Sequence, residues 1–82
     1  MKILDKDGEV MCTISFINAD IYYQIENNRV KVDEVQRFEK KGDGYEEWVD
    51  TDIIDTETGE VICQFHSNFL YYFAQKDYMI EF

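Results

Sequence analysis

The sequence predicts an α+β domain, an antiparallel sheet of five or six strands with one or two short helices covering one face. Three observations predict it. Side chains alternate between apolar and polar after two glycine-bearing turns, as they do in half-buried strands. Two aromatic-rich segments follow residues that suit helix caps. A strand–turn–strand pattern occurs twice, at Ile3-Leu4-Asp5 … Gly8-Glu9-Val10-Met11-Cys12 and at Ile53-Ile54-Asp55 … Gly59-Glu60-Val61-Ile62-Cys63. Asn18 … Tyr22-Tyr23 and Asn68 … Tyr71-Tyr72 continue the echo, which suggests a duplicated hairpin–helix unit.

The elements follow in order. The first hairpin turns at Asp5-Lys6-Asp7-Gly8 and the second at Thr56-Glu57-Thr58-Gly59, one residue longer. Glycine supplies the positive φ such turns need. Val10, Cys12, Ile14 and Phe16 then share one face, opposite Glu9, Thr13 and Ser15. Val61, Cys63 and Phe65 oppose Glu60, Gln64 and His66 in the same way. Both cysteines therefore belong to the core face. Asn18 can cap a helix bearing Ala19, Ile21, Tyr22 and Ile25, although residues 21–25 also read as a strand turning at Asn27-Asn28.

Val30 and Val32 open a strand that runs to Lys41, its phase slipping at Asp33-Glu34 as a β-bulge allows. A short helix from Asp33 to a stop at Gly42 is the alternative. Gly42-Asp43-Gly44 is a turn, and residues 45–54 return as a strand that brings Glu46 and Glu47 near Lys40 and Lys41. Ser67 or Asn68 can cap a helix with Phe69, Leu70 and Phe73 in one stripe. Residues 78–82 alternate as a closing strand.

Eighty-two residues support one core, so residues 1–82 form a single small acidic globular domain. A content of 45% apolar and 16% aromatic residues is too hydrophobic for a disordered chain. Eighteen acidic residues against eight basic ones leave a charge of −10. Residues 42–75 hold no Lys or Arg but carry Asp43, Glu46, Glu47, Asp50, Asp52, Asp55, Glu57 and Glu60. Such a field repels nucleic acid and anionic membrane and attracts basic surfaces. The opening Met1-Lys2-Ile3-Leu4 runs at once into Asp5-Lys6-Asp7-Gly8, unlike a signal peptide, and no apolar run approaches the ~20 residues of a membrane span. The expectation is a cytoplasmic protein with both thiols reduced.

Chemistry is poorly supplied. His66, the only histidine, falls on the polar side of its strand, away from both cysteines. Counting from Asp50, a calcium loop would need Gly at its sixth position, where Asp55 stands. The two cysteines lack metal-site spacing, and no glycine loop is built to cradle phosphate. Neither an enzyme nor a cofactor nor a metal is expected. Direct nucleic-acid binding is not expected either, because aromatic platforms for single strands sit in cationic grooves.

The remaining feature is the strand over residues 45–54. Glu46, Trp48, Asp50 and Asp52 alternate to one side, and carboxylates two residues apart lie about 6.5 to 7 Å from each other. That separation is close to the spacing of phosphates along one DNA strand, with Trp48 as a central anchor. Asp43, Asp55 and Glu57 surround this ladder. In size, charge and aromatic content the chain resembles small acidic inhibitors encoded by phages and mobile elements, among them some anti-CRISPR proteins and DNA mimics. The resemblance is one of composition and transfers no residue role. It implies a non-enzymatic inhibitor that binds the basic surface of a nucleic-acid-binding protein. The alternative is a self-associating domain, a homodimer built on aromatic surface that the core does not use.

Overall fold

In the computed structural model, which describes residues 1–82, the chain forms eight strands and no helix. They are β1 (Lys2–Asp5), β2 (Val10–Ile17), β3 (Asp20–Ile25), β4 (Val30–Lys41), β5 (Gly44–Asp55), β6 (Val61–His66), β7 (Phe69–Phe73) and β8 (Tyr78–Glu81). Two four-stranded antiparallel sheets result, ordered β3-β2-β1-β8 and β4-β5-β6-β7. The fold is all-β, and the expected α+β arrangement of five or six strands with covering helices is overturned. Both segments expected as helices are hairpin strands. Asn18 and Ala19 do not cap a helix but form a tight turn at φ 51° and 67°. Ser67, at φ 55°, sits in the corresponding turn before β7. Ile, Tyr and Phe dominate β3 and β7, and such side chains fit a pleated surface better than a short helix. No helix is long and apolar enough to cross a membrane.

The sequence echo has a structural counterpart. Ile3 pairs with Cys12 and Leu4 with Val10; Ile53 pairs with Cys63 and Ile54 with Val61. The register therefore slips by one residue at the same place in both hairpins. Each slip inserts a bulge residue, Met11 in one copy and Ile62 in the other, so two consecutive side chains turn inward. Met11, Cys12, Ile62 and Cys63 are all buried. No slip occurs at Asp33-Glu34, where a bulge was expected: β4 and β5 pair without a break from Val30↔Asp55 to Lys41↔Gly44.

Each sheet takes its fourth strand from the other repeat. β8 lies beside β1 with Ile80 opposite Ile3, and β4 lies beside β5 with Val32 opposite Ile53. The two meanders are thus locked by a reciprocal exchange of edge strands. Ile3, Cys12 and Ile14 from one sheet and Ile53, Cys63 and Phe65 from the other form the centre of the core, closed by Met11, Ile62, Val30 and Tyr78. Phe16 reaches across to Phe65, ring centroids 6.0 Å apart. Each fully buried Ile or Phe contributes about 1.5 to 3 kcal/mol. Burial pushes the Cys12 thiol up to about 11 and the Cys63 thiol up to about 12. Both stay protonated at neutral pH and act as small hydrophobes.

Candidate functional site

Two places concentrate polar chemistry: the outer face of the second sheet, and the end where the duplicated turns meet. On the outer face, the alternation of β5 does put Glu46, Trp48, Asp50 and Asp52 on one side. Their fates differ. Asp50 is only 2% exposed and Asp52 is also buried. Arg37 Nε donates to Asp50 Oδ2 at 2.6 Å, and the Tyr71 hydroxyl donates to the same oxygen at 2.9 Å. His66 Nδ1 lies 3.0 Å from Oδ1. The cross-strand register explains the convergence. Trp48 faces Arg37 on β4, while Asp50 faces His66 on β6, so side chains from three strands lean over one carboxylate. Burial works against the Asp50 charge, but the bonds from His66, Tyr71 and Arg37 outweigh it and hold the carboxyl below its ordinary value.

Asp52 faces Asp33 directly, a like-charge pair that destabilises a ladder unless cations intervene. Arg37 reaches Asp52 at 3.5 Å, Gln64 Nε2 donates to it at 3.0 Å, and Lys31 lies 3.3 Å from Asp33. Neither Asp50 nor Asp52 offers a free carboxylate. Around this node lies an open hollow of about 490 Å³ lined by Arg37, Glu39, Glu46, Trp48, His66 and Tyr71. Trp48 meets the His66 ring edge-on at 6.2 Å. Glu46 is paired with Lys41, which lowers its pKa. His66 is at the surface, as its polar side suggested, yet it is fastened to a buried acid. An ionised Asp50 only accepts, so Nδ1 is the donor in that contact and Nε2 is left without a hydrogen-bond partner in the chain. The hollow brings it Glu46, Arg37 and Tyr71 but no hydroxyl or thiol nucleophile of the serine or cysteine kind.

The second place lies at the opposite end of β5. Asp5 Oδ1 accepts from the backbone N–H groups of Asp7 and Glu9, both at 2.9 Å, and Asp55 Oδ1 accepts from that of Glu57 at 2.9 Å. Each aspartate thus organises its own turn, which is why the motif Ile-x-Asp … Gly-Glu-Val needs it in both copies. Arg29 lies 2.7 Å from Asp5 and 3.7 Å from Glu9. The Tyr78 hydroxyl donates to Asp55 at 2.7 Å. Burial, then the Asp55 carboxylate beside it, pushes the Tyr78 hydroxyl up to about 12. Asp55 is held below its ordinary value, because bonds from Tyr78 and the Glu57 backbone exceed the penalty of burial.

A hollow of about 440 Å³ lies between the turns, bordered by Asp5, Asp7, Asp55, Glu57, Glu60 and Asp77, with Lys6 and Arg29 its only cations. Asp7, Glu57, Glu60 and Asp77 are exposed and make no ion pair. No three His, Cys, Asp or Glu side chains are disposed to hold a metal ion.

The seven residues singled out in the sequence are therefore not brought together. Glu46, Trp48, Asp50 and Asp52 share the outer face, Asp43 sits in the β4–β5 turn, and Asp55 and Glu57 belong to the far end. Sequence reasoning missed Arg37, His66 and Tyr71 as partners of Asp50, and Asp5, Asp7, Glu60 and Asp77 as neighbours of Asp55. The repeat carried a signal for the second group: two acidic turns in equivalent places of a duplicated unit. No protein-family model matches the chain, and no curated protein or solved structure matches it either.

Proposed function

We propose that the protein is a non-catalytic binder that occupies a basic protein surface, of the kind that contacts nucleic acid, and thereby inhibits its partner. One observation carries this reading: the two duplicated turns converge into a single acidic end. Six carboxylates border one hollow there, and one of its two cations, Arg29, is already committed to Asp5 and Glu9. Electrostatic complementarity of this kind speeds encounter and selects the partner. The two turns are stiffened by internal hydrogen bonds, so presenting Asp7, Glu57 and Glu60 costs little ordering on binding. The outer-face node has the opposite character. Its buried acids are satisfied within the chain, which suits it to bracing strands.

Charge reversal tests the proposal. Asp7→Lys, Glu57→Lys and Asp77→Lys together change net charge by the same amount as Glu39→Lys, Asp43→Lys and Glu46→Lys. All six positions are exposed, so neither triple threatens the core. Immobilised wild-type protein should retain a basic, nucleic-acid-binding protein that elutes with salt or with short duplex DNA. The turn triple should retain it at least tenfold less, and the other triple nearly as well as wild type. Equal retention by the two triples, or capture indifferent to salt, sinks the assignment.

A further inference from the structure

The distal half of the β4–β5 hairpin projects from the body as an arm. Apart from Arg37 and Trp48, every residue from 36 to 49 is exposed. The molecule is elongated accordingly, 49 × 30 × 19 Å. An arm of this length buries almost nothing in the isolated chain, yet ordering its backbone costs about 1 kcal/mol or more per residue. The register assigns its two faces. Gln36 and Val49, Phe38 and Glu47, and Lys40 and Tyr45 are opposed pairs, in phase with the pair of half-buried Val32 and buried Ile53. Sheet one covers this inner face only as far as Phe65 and Thr51. Beyond that edge Phe38 is 71%, Tyr45 69% and Val49 52% exposed. On the first sheet Phe16, whose ring meets Phe65 opposite Thr51, and its neighbour Ile17 are also exposed.

We propose that this face is covered by a second copy of the chain, the arms packing inner face to inner face about a two-fold axis. Charge decides the occupant. Within residues 36–49, Arg37, Lys40 and Lys41 stand against Glu39, Asp43, Glu46 and Glu47, a balance of −1, which leaves −9 for the rest of the chain. Two copies repel each other least when they meet at the arms. A basic partner, by contrast, has least to gain there. The inner face itself carries one charge of each sign, Lys40 and Glu47, on adjacent rungs. A two-fold axis between those rungs sets Lys40 of each copy over Glu47 of its mate, the self-complementarity that an isologous interface requires.

The scale also fits. Exposed portions of Phe16, Ile17, Phe38, Tyr45 and Val49 from two copies amount to roughly 1,000 Å² of apolar area. That is the lower bound for a specific interface, the size at which weak and transient association is the rule. The Asp50 node sits at the root of the arm and fixes its direction, which limits the entropy lost when two arms dock. This inference stands apart from the function proposed above, since the acidic ends lie away from the arms. A dimer would present two of them.

Sedimentation equilibrium on the full chain is the test, with thermal unfolding run beside it. Wild type should dimerise at tens of micromolar, with an association constant that holds or rises as salt increases. Phe38→Glu should weaken association at least tenfold, at unchanged melting temperature in samples dilute enough for both proteins to be monomeric. Lys40→Glu and Glu47→Lys should each weaken it, and mixing these two variants should restore dimers. A wild-type chain that stays monomeric at about ten times that concentration overturns the proposal. So does a dimer that survives Phe38→Glu, or charge variants that fail to rescue each other. Retention of the basic partner by a monomeric Phe38→Glu protein would separate failure here from failure of the acidic end.

Discussion

The two meanders of this protein, β1–β3 and β5–β7, are built to one plan and finished differently. Both hairpins close on an aspartate that caps its own turn, both slip register one rung later, and both bury a bulge residue beside a cysteine. Each borrows an edge strand from the other. The first borrows β8, four residues long; the second borrows β4, twelve residues long. β5 likewise extends eight residues beyond Asp52, the position equivalent to Lys2 at the start of β1. The two meanders share the centre of the core, Ile3 with Cys12 and Ile53 with Cys63, and also the acidic turns that meet at one end. The arm and the Asp50 node at its root have no counterpart in the first meander and lie outside the core. The repeated part therefore carries both the core and the acidic end, and the surplus of β4 and β5 adds a second surface of nearly balanced charge.

If the halves are equivalent where they match, equivalent core positions should carry equal weight. Ile3 and Ile53 are fully buried and paired with Cys12 and Cys63. Ile3→Ala and Ile53→Ala should each destabilise the protein by about 3 to 4 kcal/mol, a loss of transfer energy plus a cavity. Phe38→Ala on the arm should fall within about 0.5 kcal/mol of wild type. Urea unfolding of the three variants measures all of this. A large disparity between the two isoleucines breaks the equivalence, and a large loss at Phe38 shows that the arm is part of the core after all.

The Asp50 node has no counterpart in the first meander and gives the second its own pH dependence. Asp50→Asn should cost about 2 to 3 kcal/mol at neutral pH, because Arg37, Tyr71 and His66 lose the charge of their acceptor and one of its two oxygens becomes a donor amide. Asp50 has a lowered pKa in the folded state. Its contribution is therefore present above the ordinary carboxylate value of about 3.9 and is lost as pH falls through the folded value. The stabilities of wild type and Asp50→Asn should converge over that acid range. The lowered pKa values of Asp5 and Asp55 act in the same direction and remain in both proteins. A mutational loss that persists undiminished in acid would mean that shape, rather than charge, matters at Asp50.

Local chemistry made some elements legible in the sequence. Gly8 and Gly59 announced both hairpins, alternation placed Cys12 and Cys63 in the core, and the run ending at Phe82 read correctly as a closing strand. The missing helices have a physical cause. Short apolar runs such as residues 21–25 and 69–73 fit one helical turn or one strand equally well by periodicity alone. Their aromatic and β-branched content was the better guide, and neighbouring strands decided it. Spacing revealed that Glu46, Trp48, Asp50 and Asp52 share a face, but not that Arg37, two residues before the middle of its own run of charges, would lie over two of them. That depended on an unbroken twelve-rung register, whereas a bulge at Asp33-Glu34 would have turned Arg37 to the other face. The meeting of the acidic turns depended on the reciprocal exchange of β4 and β8, which no local pattern encodes.

The smallest expected effect tests the comparison at its finest point, the turns that lead into β3 and β7. In the first meander two consecutive non-glycine residues, Asn18 and Ala19, take positive φ; in the second only Ser67 does. Asn tolerates this conformation, but Ala19 at φ 67° sets its Cβ against the following carbonyl at a cost of about 1 kcal/mol or somewhat more. Glycine removes that clash and adds back part of the loss as unfolded-chain entropy. Ala19→Gly should therefore stabilise the protein by about half a kcal/mol, a rise of a few degrees in melting temperature for a domain of this size. Val at the same position, with a branched Cβ, should do the reverse by more. A stabilised Ala19→Val variant would show that the turn relaxes out of the left-handed region. The two meanders would then enter their third strands by the same route.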